Sequence, residues 1–213
     1  MNLEYVLPAD IERRSFEIIE SELETEIPAD IKPVVIRAIH TTADFDYAEN
    51  LYFSENVIEK ALAVLDRGAA IVTDTNMAKA GINKPALARH GCECMCFMAD
   101  EDIARTAKEN GTTRATASVD KATALGRPVI YAVGNAPTAL VRLCEHISAG
   151  DFVPELVIGA PVGFVNVVQS KEMLIDSGVP CIVARGRKGG SNVAAAICNA
   201  LLYMLDNKKG FKK

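Results

Sequence analysis

The stretch VIRAIHTTADFDY sets His40, one of three histidines in the chain, at the end of an apolar helical run and in front of an acidic, aromatic loop. Imidazole titrates near neutrality, so a histidine can give and take a proton at working pH. His90, in LARHGCEC, precedes a glycine at a loop. His146, in LCEHISAG, sits near a helix end, where an imidazolium complements the last carbonyls. Both have local structural explanations; His40 does not, and for it spacing alone favours a structural residue over an acid/base.

The second chemical signal is RGRKGGSN, residues 185–192. Its three glycines permit tight backbone geometry, Arg185, Arg187 and Lys188 bring positive charge, and Ser191 or Asn192 stands where a helix cap would. Together they describe an anion site. Phosphate signatures are missing: neither G-x-x-x-x-G-K-[ST] nor G-x-G-x-x-G occurs, nor do the esterase G-x-S-x-G or the zinc H-E-x-x-H. Taken alone, this loop reads equally well as a basic turn closing a βα unit. Two more glycine-bearing loops at strand ends, GNAPTAL with Gly134, Asn135 and Ala136, and PVGFVN, shift the balance toward a binding site.

Other polar residues carry weaker signals. VTDTNM puts Asp74 and Asn76 just past a strand, the position of a functional group or of a helix cap. Arg114, in GTTRATAS, falls in a helix's first turn, where the macrodipole disfavours a cation, and that misplacement hints at a task. Arg13, Arg14 and Ser15 share one turn of the first helix and read as a solvated face. Cys92, Cys94 and Cys96 alternate in CECMCF, which puts all three on one face of a strand. Zinc sites favour C-x-x-C pairs with distant partners, so a buried strand, and no metal, is the expectation.

These residues need a scaffold, and the hydrophobic pattern supplies one. The first third is helical: LPADIERRSFEIIESELE and IPADIKPVVIRAIHTTA both open on Pro-Ala-Asp, and SENVIEKALAVLDRG follows with Ser54 as its cap. From residue 68 short apolar runs alternate with helices. The strands expected are 69–74, 92–98, 128–134, 155–160 and 179–184, and the last helix is NVAAAICNALLYML. Near-continuous apolar strands separated by helices imply an α/β fold with a mostly parallel, about five-stranded sheet covered on both faces. Such sheets bind ligands at the carboxyl ends of their strands.

At 213 residues the chain is expected to form one domain over 1–213, mainly helical over 1–67, built of βα units over 68–206, and ending in a basic tail, 207–213. A net charge of -5 argues against a nucleic-acid partner. No apolar run approaches the roughly 18 residues of a membrane span, and no secretory signal is visible at the N-terminus. The expected location is the cytoplasm, with six free thiols.

Seven segments in order, ERRSFEII, IRAIHTTADFDY, TDTNM, GTTRATAS, GNAPTALVRLCE, PVGFVNVVQSKE and VARGRKGGSNVAAAICNALL, resemble the motif set of the precorrin-8X methylmutase family, including its cobalt-precorrin-8 methylmutase branch. The resemblance spans about Tyr5 to Leu205. It implies a homodimeric, three-layer α/β/α isomerase of cobalamin biosynthesis that moves a methyl group from C11 to C12 of the corrin ring, giving hydrogenobyrinate or cobyrinate. It implies that His40 is the catalytic proton donor/acceptor and that Ser15 and Arg114 contact the tetrapyrrole. Arg14 stands beside Ser15. TDTNM would add Thr73 and Asp74, GNAP would add Gly134, Asn135 and Ala136, and RGRKGGS would add Arg187, Gly189, Gly190 and Ser191 as walls and anion clamps. No cofactor is implied, and other enzymes of the cobalamin pathway are implied as further partners. A noncatalytic corrinoid carrier and, from RGRKGGSN alone, a nucleotide-binding domain are the competing readings.

Overall fold

The computed structural model describes residues 3–211. A 3-10 turn at Pro8–Asp10 leads into α1 (Ile11–Glu22), then come α2 (Lys32–Thr42), the single turn α3 (Tyr47–Asn50), β1 (Leu51–Phe53) and α4 (Val57–Asp66). The βα part opens with β2 (Ala70–Thr73), α5 (Asn76–Gly81), α6 (Lys84–Arg89) and β3 (Glu93–Met95). It continues through α7 (Glu101–Glu109), α8 (Arg114–Ala122), β4 (Val129–Val133) and α9 (Pro137–Ala149). It ends with β5 (Leu156–Gly159), α10 (Val167–Asp176), β6 (Cys181–Ala184) and α11 (Ser191–Lys209).

Strands β2, β4, β5 and β6 are buried at every position. Side chains of a strand alternate between faces, so apolar residues at every position require cover on both sides, and the helices supply it. On one face, α2, α4 and α11 close a core that includes Val34, Ile39, Leu65 and Leu201. On the other, α8, α9 and α10 close a second core around Tyr131, Leu140, Leu143 and Leu174. The result is three layers, as expected. Among the described residues no helix is long and apolar enough to cross a membrane.

The sheet has six strands, not five, in the order β1-β6-β5-β4-β2-β3. Five are parallel; β1 runs antiparallel to β6, with Leu51 opposite Ala184. Three residues inside a helical region give no alternation to read, which is why β1 is invisible in the sequence. Ser54 belongs to this edge rather than to a helix cap: its Oγ accepts the Cys181 N–H at 2.9 Å. Helix α4 starts after Asn56 instead, whose φ of 54° turns the chain. The two Pro-Ala-Asp segments form turns just ahead of their helices, and Pro33, not Pro28, occupies the first turn of α2. Strand β3 is shorter than 92–98, leaving Cys92 and Cys96 at its flanks. Burial pushes the Cys94 thiol up to about 11. Helix α11 takes in residues 207–209 of the expected tail, and Lys209 pairs with Asp66 of α4. Lys212 and Lys213 lie outside the described residues.

From β2 the chain steps to one side for β3, then crosses back for β4, β5 and β6. That reversal opens a crevice between the carboxyl ends of β2 and β4.

Candidate active site

Asp74 fills this crevice. Its side chain leaves β2 into the interior, and its carboxylate accepts the N–H groups of Gly134 (2.8 Å), Asn135 (2.8 Å) and Ala136 (2.7 Å). Helix α9 begins at the next residue, Pro137, so the carboxylate sits where related sheets hold a bound anion. Burial pushes the Asp74 carboxyl up, and the three N–H donors offset this only in part. The caps expected here are reassigned. Thr75, not Asp74 or Asn76, caps α5 by accepting the Ala78 N–H. Gly190 precedes α11, and Ser191 Oγ instead shares a 2.7 Å hydrogen bond with Thr75 Oγ1. Thr73 donates its hydroxyl to the carbonyls of Thr75 and Met95. A Cβ on Gly134 would lie 2.6 Å from Ser191 Cα, so only glycine lets the loops after β4 and β6 touch.

The loop after β6 rests on Lys171 of α10, a side chain missed by the sequence reading although QSKE carries it. Lys171 is fully buried, and its Nζ donates to the carbonyls of Gly186 and Lys188, each at 2.8 Å. Burial lowers its pKa to about 8. Gly189, at φ +158°, packs so tightly that a Cβ would meet the Ala160 carbonyl oxygen at 2.3 Å. The loop's cations have separate tasks. Arg185 pairs with Glu172 and lies over the Tyr52 ring. Lys188 pairs with Asp44 and Asp46, both at 2.6 Å, and these carboxylates hold its pKa above the usual range. Arg187 lies over the Phe164 ring, with no ion pair among the described residues.

Asp44 and Asp46 are the acidic residues of the loop that follows His40, so Lys188 ties the His40 end of α2 to the glycine loop. His40 sits in the last turn of α2, exposed, with its ring edge-on to Phe16 at 5.2 Å. Arg37, a cation on the otherwise apolar VVIRAI face, holds that arrangement. It pairs with Glu12 of α1 at 3.0 Å and lies over the rings of Phe16 and Tyr203. Ser15, one residue before Phe16, donates to the Ile11 carbonyl, and Arg14 pairs with Glu4 and Glu17. Arg114 opens α8 and is exposed. Its neighbour Thr113 caps α8 and shares a hydrogen bond with Thr138 in the first turn of α9.

Thr73, Asp74, Gly134, Asn135, Ala136 and Ser191 thus form one linked cluster, with Arg187, Gly189 and Gly190 beside it. Ser15 and His40 stand in one helical layer and Arg114 in the opposite one. Around these loops Met77, Val162, Phe164 and Val165 expose apolar surface, Phe164 at 81%. Exposed apolar side chains with Arg187 over the Phe164 ring suit a flat apolar ligand with anionic arms. The cavity of about 300 Å³ between α1, α2 and α11 is lined by Phe16, Ile36, Arg37 and Tyr203 and lies off this cluster.

A family model described as precorrin-8X methylmutase matches residues 10–204. A relative from Salmonella typhimurium named cobalt-precorrin-8 methylmutase is 46% identical over 206 residues, covering 93% of this chain and 96% of its own. A Pseudomonas aeruginosa relative named precorrin-8X methylmutase is 39% identical, covering 90% of this chain and 93% of its own. The solved structure of a precorrin-8x methyl mutase from Thermus thermophilus matches with a TM-score of 0.85 and 39% identity, over 93% of this chain and 98% of that one. With a family match over nearly its whole length and a shared fold, the chain belongs to the precorrin-8X methylmutase family.

Proposed function

We propose that the chain converts a precorrin-8 macrocycle, with or without central cobalt, into its corrin product by moving one methyl group from C11 to C12. The observation that carries this reading is the Lys188 bridge to Asp44 and Asp46. It holds the exposed His40 on the side of the molecule where Arg187 and the apolar loop residues lie. The macrocycle is a large apolar ring with carboxylate arms, and it needs dispersed cations and backbone donors rather than one phosphate nest. The methyl migrates within one molecule, so atoms balance without a second substrate. His40 exchanges one proton with the ring, and an imidazole can both give and take one. Cobalt, where present, comes with the substrate.

Leu3, Tyr5, Leu7 and Ile11 expose apolar side chains along the N-terminal segment and the start of α1. A second copy of the chain would cover them, and we propose a homodimer. Six free cysteines suit a reducing cytoplasm. Mixing the purified protein with the precorrin should shift the visible spectrum to that of the corrin. His40→Ala should slow turnover by about a hundredfold or more. Binding of the corrin without any turnover would instead make the protein a carrier.

A further inference from the structure

Two buried charges of opposite sign sort the backbone of the loops that close the site. Asp74 takes the N–H groups of residues 134–136, while Lys171 takes the carbonyls of Gly186 and Lys188. A trans peptide unit is planar, so its carbonyl and its N–H point in opposite directions. With the Gly186 and Lys188 carbonyls turned toward the Lys171 ammonium, the N–H groups of Arg187 and Gly189 are turned away from it. Neither has an acceptor among the described residues. The Arg187 carbonyl accepts the Gly163 N–H, and the Gly190 N–H goes to the Ala160 carbonyl, which fixes the loop between these two amides and just after the second.

The charges follow the same division. Arg185 and Lys188 are paired with Glu172, Asp44 and Asp46, whereas Arg187, which carries one of the two turned-out amides, lies over the Phe164 ring with no ion pair among the described residues. Among the described residues Lys171 itself bonds only to carbonyls, so its positive charge lies beneath them uncancelled by a hydrogen-bonded carboxylate.

We infer that Lys171 is a positioning residue: it holds the loop after β6 with its carbonyls inward, so that the Arg187 and Gly189 N–H groups and the Arg187 guanidinium receive one carboxylate arm of the substrate. This rests on the corrin reading above. The loop after β4 has no such role through its backbone, because Asp74 already occupies its three N–H groups.

The test compares wild type and Lys171→Met, with two probes: the corrin product, whose arms are carboxylates, and the same corrin fully amidated. A charge-assisted receptor is worth about tenfold or more in affinity. Lys171→Met should therefore raise KM and weaken the acid form by about that factor. It should leave saturated kcat and binding of the amide nearly unchanged. A folded variant that keeps wild-type affinity for the acid, or loses both probes equally, overturns the proposal. A measurement on the wild type stands independently of how that variant folds. In its amide NMR spectrum, the product should move the Arg187 and Gly189 signals downfield and leave the Gly134 and Ala136 signals in place. Unmoved Arg187 and Gly189 signals in a chain that turns the precorrin over remove this inference alone. A wild type that neither binds nor converts the corrin removes it together with the proposed function.

Discussion

At the scale of single residues, Asp74 shows how much one side chain can be asked to hold. Among the described residues its carboxylate is the only acceptor given to the N–H groups of Gly134, Asn135 and Ala136. Asp74→Ala strips three donors at once, at a cost of about 3 kcal/mol. Asp74→Asn keeps one oxygen and should cost about 2 kcal/mol. Urea unfolding of the three proteins measures this, and an alanine variant within about 0.5 kcal/mol of wild type would contradict it. The sequence offers Asp74 as a functional group or a cap, and in the fold it holds a loop, the one that leads into a helix some sixty residues further along. Local capping rules reach only the next turn, so they point to α5, which Thr75 serves instead. Lys171 escaped notice for a related reason. A lysine in an amphipathic helix reads as solvated, and only the loop folded over it makes it buried.

At the scale of elements, the four central strands and α11 were legible because their apolar runs are long and uninterrupted, and burial at every position needs no partner to be inferred. What ties α11 to α6 was not. Asp206 accepts from Arg89 Nε at 3.0 Å and lies 2.8 Å from His90 Nε2, contacts across 116 residues or more. The Arg89 hydrogen bond, then burial working against it and the His90 contact working with it, leave the Asp206 carboxyl below the usual range. A carboxyl depressed in the folded state adds stability that is complete above its unfolded pKa, about 3.9, and lost as the pH falls through the native value. Asp206→Asn removes that contribution. Melting temperatures of wild type and variant should differ by a constant amount above about pH 5 and converge toward about pH 2. A gap that stays the same throughout the acid range would show that packing, not charge, joins these helices.

At the scale of the whole molecule, the sheet itself raises the question of how one protomer could serve a ring-sized substrate. His40 lies in the layer of α2 and α11, joined to the glycine loop through Lys188 and the acidic pair after it. Arg114 lies in the layer of α8 and α9, with the full thickness of the sheet between. If both touch one macrocycle, a second copy offers a route that a single copy does not: the His40 of one protomer facing the Arg114 of its partner. A mixing experiment separates the two arrangements. In the proposed homodimer, His40→Ala and Arg114→Ala should each leave the protein nearly inactive. After subunit exchange, about half of the dimers carry one lesion of each kind. With shared sites, such a dimer holds one site with both lesions and one with neither, so the mixture should recover about a quarter of wild-type activity. With sites built from one protomer, every site in it carries a lesion, and nothing returns. Mass spectrometry showing the mixed dimers present while the spectrum of the precorrin stays unchanged would place His40 and Arg114 in one protomer's site.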